Sequence, residues 1–189
     1  SFVANVQAME GVSPKALEFA ILTATRTGEV VGASWAEIDT ANALWTIPAS
    51  RMKAKKEHRV PLTKRALVIL AALPREEGND AVFIGDKKGQ SLSNMALLMT
   101  LRRMKRDDLT VHGFRSTFRD WAAEQTAYPN ELLEMALAHT VSDKTEAAYR
   151  RGDMFEKRRR LMSDWATYCA TTKQEKAENV VPIRASVDG

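Results

Sequence analysis

Apolar and polar positions along the chain mark out a series of short helices with one extended stretch among them. In "SPKALEFAILTATRTGEV" (13–30), Leu17, Ala20, Ile21 and Ala24 recur at helical spacing. Ser13 reads as the N-cap of that helix, Pro14 as its first residue and Gly28 as its stop. The pattern then changes. "SWAEID" (34–39) and "ALWTI" (43–47), joined by "TAN", read as a β-hairpin. "HRVPL" (58–62) reads as a third strand, with Pro61 suited to an edge or a strand end. A loop rich in base, "PASRMKAKKE" (48–57), lies between the second and third strands.

Helical patterning resumes after that. Thr63 caps "KRALVILAAL", "PREEGND" (74–80) is a loop, and "AVFIG" (81–85) is a short extended piece. "NMALLMTLRRMKR" (94–106) is a helix, and "HGFRSTFRDWAAEQ" (112–125) sets Phe114, Phe118, Trp121 and Ala122 on one stripe. Asn130 caps "ELLEMALA" (131–138). "DMFE" (153–156) has the form of a capping box and starts a helix carrying Leu161, Trp165 and Tyr168 on one face. The tail from Thr171 is polar except for "NVVPI" (179–183). The fold class is therefore mainly α with a small three-stranded antiparallel sheet, an α+β arrangement. Residues 1–170 form one domain and 171–189 a tail.

Composition narrows the classes. The 189 residues are 44% hydrophobic, enough for a real core, and no apolar run reaches the ~18 residues of a membrane span. The start lacks the basic-then-apolar pattern of a signal peptide. A single cysteine, Cys169, excludes an internal disulfide and a cysteine-based zinc site, and it fits a reducing cytoplasm. Beginning at Ser1 without methionine, the chain reads as a piece of a longer protein. The net charge is only +4, yet base is concentrated in 51–65, 101–106 and 149–160, the footprint expected for a polyanion such as nucleic acid.

Breaking a phosphodiester with an enzymic nucleophile makes three demands. The non-bridging oxygens need a fixed clamp, for which the arginine fork is better suited than lysine. The attacking hydroxyl must lose a proton and the leaving oxygen must gain one. The nucleophile must be held in line. "HGFR" places His112 and Arg115 at i and i+3 on one helix face. Arg26 sits where the first helix ends, Lys53 lies in the basic loop, His139 ends a helix, and Tyr149 follows it in "EAAYRRGD". Each of these is a weak signal alone. Glu29 reads as a buried or half-buried structural partner for an arginine, His58 as a plain surface histidine, and Tyr128 and Tyr168 as core or surface tyrosines.

In this order, from about Ser13 to Tyr168, the set resembles the tyrosine recombinases, or phage-type integrases. "AAYRRGDMFEKRRRLMSDWA" is most similar to integrases of temperate phages and chromosomal islands, and the ten-residue step from His139 to Tyr149 is one longer than in many members. The resemblance implies the tyrosine recombinase catalytic-domain fold and a site-specific recombinase for integration or excision of a mobile element. It implies that Tyr149 attacks the scissile phosphate of double-stranded DNA, forms a 3′-phosphotyrosyl link and frees a 5′-hydroxyl. Arg26 and Arg115 would clamp the phosphate, Lys53 would protonate the leaving oxygen, His112 would serve the tyrosine proton and His139 would donate to a phosphate oxygen. No cofactor or metal is called for. It further implies amino-terminal DNA-binding domains outside this chain, a homotetramer on DNA, a monomer for the piece alone, and a tail that packs on a neighbouring subunit. A type IB topoisomerase shares the chemistry and is the nearest rival; a non-catalytic DNA-binding module is the rival from another class.

Overall fold

The computed structural model describes residues 2–139 and 153–171. Its helices are α1 (Phe2–Gln7), α2 (Val12–Thr23), α3 (Thr27–Val31), α4 (Lys64–Ala71), α5 (Ala96–Arg103), α6 (Gly113–Gln125), α7 (Asn130–Ala136) and α8 (Phe155–Ala170). Three strands, β1 (Ile38–Asp39), β2 (Leu44–Ile47) and β3 (His58–Pro61), form one antiparallel sheet in the order β1-β2-β3. The expected fold class is the observed one.

α2 is the axis of the domain. It packs against α1, α3, α4, α5 and α8, so it is buried all round instead of along one stripe. Being central, it also buries a carboxylate. Glu18 is satisfied by both nitrogens of the Arg65 fork, at 2.7 and 2.8 Å, and by Gln7 Nε2 at 2.6 Å. This meets the requirement that a buried charge be paired and hydrogen-bonded.

Both proposed ends of α2 need correction. The helix begins at Val12 after Gly11, whose φ of 107° suits glycine. Ser13 lies inside it, and its hydroxyl donates to Ala96 O (2.9 Å) on α5. At the far end the helix stops at Thr23, with Ala24 in the left-handed region (φ 51°) and its N–H returning to Ile21 O. Gly28 belongs to α3. The tertiary partner of the Ala24 carbonyl, described below, accounts for the early stop.

The sheet alternates as a half-buried sheet should: Trp45, Ile47 and Val60 face the helices. Trp45 pairs with Ile38 on one side and Val60 on the other, and its ring meets Phe19 of α2 at 5.4 Å. Pro61 ends β3, an edge strand. The first strand is shorter than "SWAEID". Trp35–Glu37 is a 3-10 turn whose Trp35 N–H goes to Asp80 O, drawing this stretch towards residue 81. Thr63 caps α4 as expected.

Two further caps differ from expectation. Asn130 is the first residue of α7 with no side-chain cap, because Pro129 occupies the cap position. "DMFE" makes no capping box. Met154 takes the cap position in left-handed conformation, Asp153 Oδ1 accepts the N–H of Phe155 (3.1 Å), and Glu156 pairs with Arg159. The core side of α8 is as expected for Leu161 and Trp165. Trp165 packs on Phe118, Trp121 and Tyr168, and it donates through Nε1 to Ile21 O (2.8 Å).

Candidate active site

The site is built where the ends of three helices meet. Arg115, on the first turns of α6, is 4% exposed. Its fork reaches in two directions. Nη1 donates to the carbonyl of Ala24, past the end of α2, and Nη2 donates to Leu137 O (2.6 Å), past the end of α7. Both carbonyls belong to helix C-termini, whose unpaired oxygens and dipole favour a cation. One guanidinium thus replaces the missing partners of two helices and ties them to a third. Its Nε is buried with no hydrogen-bond partner among the described residues.

Arg26 enters from the residue before α3. Its backbone N–H donates to Glu29 Oε2 (2.8 Å) and its Nη1 to Glu29 Oε1 (2.8 Å). Glu29 is 5% exposed, so the expectation of a buried partner for an arginine is met. Burial first, and then the charge of Arg26, pull the Arg115 pKa down to about 10, with Glu29 acting the other way. The guanidinium remains charged near neutral pH. Two cations therefore face one region with one carboxylate between them, an arrangement suited to an anion.

His139 joins the same cluster. α7 closes in a Schellman turn: Ala138 is left-handed (φ 50°), its N–H goes to Met135 O (3.2 Å), and the His139 N–H goes to Glu134 O (2.9 Å). The turn brings the imidazole back over the helix. Nδ1 is 2.7 Å from Glu134 Oε2, and Nε2 is 3.4 Å from Arg115 Nη2. Glu134 Oε1 lies 3.2 Å from Arg119 Nη2, an ion-pair distance without hydrogen-bond geometry. Neither Glu134 nor Arg119 was anticipated. The signal was there: Arg115 and Arg119 are i and i+4 on α6, facing Glu134 and the end of its helix.

The remaining expected residues are placed differently. Lys53 is exposed on the loop between β2 and β3, and His112 is exposed at the cap position of α6; neither side chain makes a hydrogen bond or ion pair with the described residues. Tyr149 lies outside the described residues. The structure therefore brings together Arg26, Arg115 and His139. Tyr128 donates to Asp164 (2.7 Å), and burial followed by this carboxylate pushes its hydroxyl up to about 12, the wrong direction for a nucleophile. Tyr168 stacks on Trp165.

His58 is not a surface histidine. It is 8% exposed on β3, and its pKa is lowered to about 4, by burial first and then by Arg158, with Glu29 and a hydrogen bond to the Ala136 backbone opposing. It is a neutral imidazole on β3, beside the Ala136 backbone of α7 and Arg158 of α8.

The helix ends of this mainly helical domain thus converge on two guanidiniums and an imidazole, donors of the kind that suit an anionic oxygen. The phage integrase family matches residues 3–156, and the chain belongs to that family. It is 36% identical over 149 residues to the prophage integrase IntA of Escherichia coli (strain K12), covering 77% of this chain and 36% of that protein. It is 31% identical over 187 residues to the integrase of Enterobacteria phage P4, covering 88% of this chain and 43% of that protein. The chain spans less than half the length of these relatives. Among solved structures, the integrase from mycobacterium phage Brujita superposes with TM-score 0.64 at 17% identity, over 85% of this chain and 54% of that one. XerA recombinase gives 0.55 at 16%, over 87% of this chain and 65% of that one. These likenesses show that the fold is the recombinase fold.

Proposed function

We propose that this chain is the catalytic domain of a site-specific recombinase that cuts and rejoins double-stranded DNA through a 3′-phosphotyrosyl link, integrating or excising a mobile element. The observation that carries this reading is the convergence of Arg26 and Arg115, the latter buried with an Nε donor unpaired among the described residues, beside His139. A phosphodiester in the transition state spreads charge over its non-bridging oxygens, and rigid charged donors stabilise that charge without reorganising. Membership of the integrase family and the names of the relatives support the same chemistry.

In this reading Tyr149 attacks phosphorus and the 5′-oxygen leaves. The phosphotyrosyl bond keeps the bond energy, so a 5′-hydroxyl of another strand can reverse the step. Arg26 and Arg115 hold the non-bridging oxygens, and His139 donates to one of them. Lys53, exposed on its loop, is free to reach the leaving oxygen as its acid, and His112 serves the tyrosine proton. The chain acts within a longer recombinase that assembles as a tetramer on DNA.

The test is covalent trapping. Nicked duplexes of randomised sequence, whose broken product diffuses away, are incubated with the chain and selected for SDS-resistant adducts. The wild-type chain is expected to give adducts and Tyr149→Phe none, with DNA binding retained, because phenylalanine removes only the nucleophilic oxygen. Adducts from Tyr149→Phe, or none from wild type, would overturn the reading.

A further inference from the structure

Glu134 has no part in the chemistry just described, yet it makes the shortest polar contact to His139. A carboxylate can only accept, so the hydrogen in the 2.7 Å contact sits on Nδ1. That choice settles what the other ring nitrogen can do. In the neutral ring Nε2 carries the lone pair, and it faces Arg115 Nη2 at 3.4 Å, a group that can only donate. When Nε2 takes a proton from solvent it can donate to a phosphate oxygen, while Glu134 goes on holding the Nδ1 hydrogen.

The geometry points to Glu134 as a positioning residue that fixes the tautomer and aim of His139, an inference that rests on the recombinase reading above. Three features hold it. The backbone carbonyl of Glu134 accepts the His139 N–H (2.9 Å), so main chain and side chain of one residue grip the same histidine. Arg119 stands 3.2 Å from the other carboxylate oxygen and holds it from the α6 side. Arg119 lies one helical turn beyond Arg115 on α6, so the two arginines and the Glu134–His139 pair form a two-rung contact between α6 and the end of α7. Without the carboxylate, the ring is free to rotate away from Arg115 and to carry its hydrogen on Nε2, the form a free neutral imidazole prefers.

Two measurements test this, one of them independent of DNA. Ring ¹⁵N NMR of His139 in the unliganded wild-type chain should show hydrogen on Nδ1, and Glu134→Ala should move it to Nε2. Glu134→Gln, which keeps an oxygen acceptor, should retain the wild-type tautomer. With a duplex selected by trapping, Glu134→Ala should slow adduct formation at saturating DNA by at least about tenfold, and Glu134→Gln by no more than about threefold, because a misaimed donor loses part of the stabilisation it gives the transition state. DNA affinity should stay near wild type for both. An Nε2 hydrogen in the wild-type chain, or an unchanged tautomer in Glu134→Ala, overturns the proposal even if that variant is slow, since the loss would then be structural. A wild-type rate in Glu134→Ala overturns it as well, while wild-type adducts leave the recombinase reading standing. Failure of the wild-type chain to form any adduct is the different result that removes both.

Discussion

At His58, burial and a positive neighbour act in the same direction. Desolvation disfavours the imidazolium, Arg158 repels it, and the opposing effects of Glu29 and the Ala136 backbone are smaller. The sign of the consequence follows. The folded-state pKa of about 4 lies below the ordinary 6.5, so between these values the unfolded chain binds a proton that the folded chain does not. The stability contributed by the neutral ring is present above about pH 6.5 and is lost as pH falls towards 4, on the order of 3 kcal/mol if the full difference is realised. His58→Gln should flatten this part of the profile. Melting temperatures of both chains from pH 7 to 4.5 check it, and equal slopes would show that His58 is not the group responsible. The same residue shows what sequence could not reach. A histidine at the start of an edge strand beside a basic loop has every mark of a surface position; only tertiary packing, with α8 against β3 and the Ala136 backbone beside the ring, buries it. Arg26, Arg115 and His139, which the structure brings together, were legible because their types and order resemble one family. Glu134 was not, because its role depends on how the chain turns after α7.

Between elements, arginine forks do work that caps would do elsewhere. Arg115 joins the ends of α2 and α7, and Arg158 joins α8 to the sheet. Arg158 is buried and donates from all three of its nitrogens. Nε goes to Asp153 O (2.7 Å), Nη1 to Arg59 O on β3 (2.5 Å), and Nη2 to Asp153 Oδ2 (2.8 Å). A lysine at this position keeps the charge and loses the fork. Arg158→Lys is therefore expected to lower stability by about 2 kcal/mol, the size of a lost hydrogen bond to a charged group. Arg160→Lys, two residues on and exposed, should change it by less than about 0.5 kcal/mol. Urea midpoints decide between them, and equal shifts would mean that the fork is not what holds α8 to β3. These contacts also explain the corrected helix ends. Local cap signals at Ser13, Asn130 and "DMFE" were sound by propensity, but a proline, a neighbouring helix or an arginine offered the backbone groups and the side chains other partners.

For the whole molecule, the clusters of base and the tail bear on assembly. The stretch 171–189 was expected to dock its "NVVPI" segment on a neighbouring subunit, and beyond Thr171 it lies outside the described residues. Val180, Val181 and Ile183 are too few to form a core of their own, so their burial needs a partner surface. Deleting residues 178–189 from the recombinase should weaken exchange between two duplexes and spare adduct formation on one. Gel assays of synapsis and of single-duplex trapping separate these steps, and normal exchange by the truncated protein would make the tail a passive extension.

Sequence by itself determined the class of fold, the three-strand sheet and its edge, the family, and three residues that do meet at one site. Periodicity is a local property of the chain, and the demands of phosphate chemistry restrict side-chain type whatever the fold. Tertiary structure alone decided which carbonyls Arg115 would reach, that His58 would be neutral, and that Glu134 would stand behind His139. Those outcomes depend on residues far apart in sequence being brought within hydrogen-bond distance, and on how much water remains around them. Neither is written in local pattern.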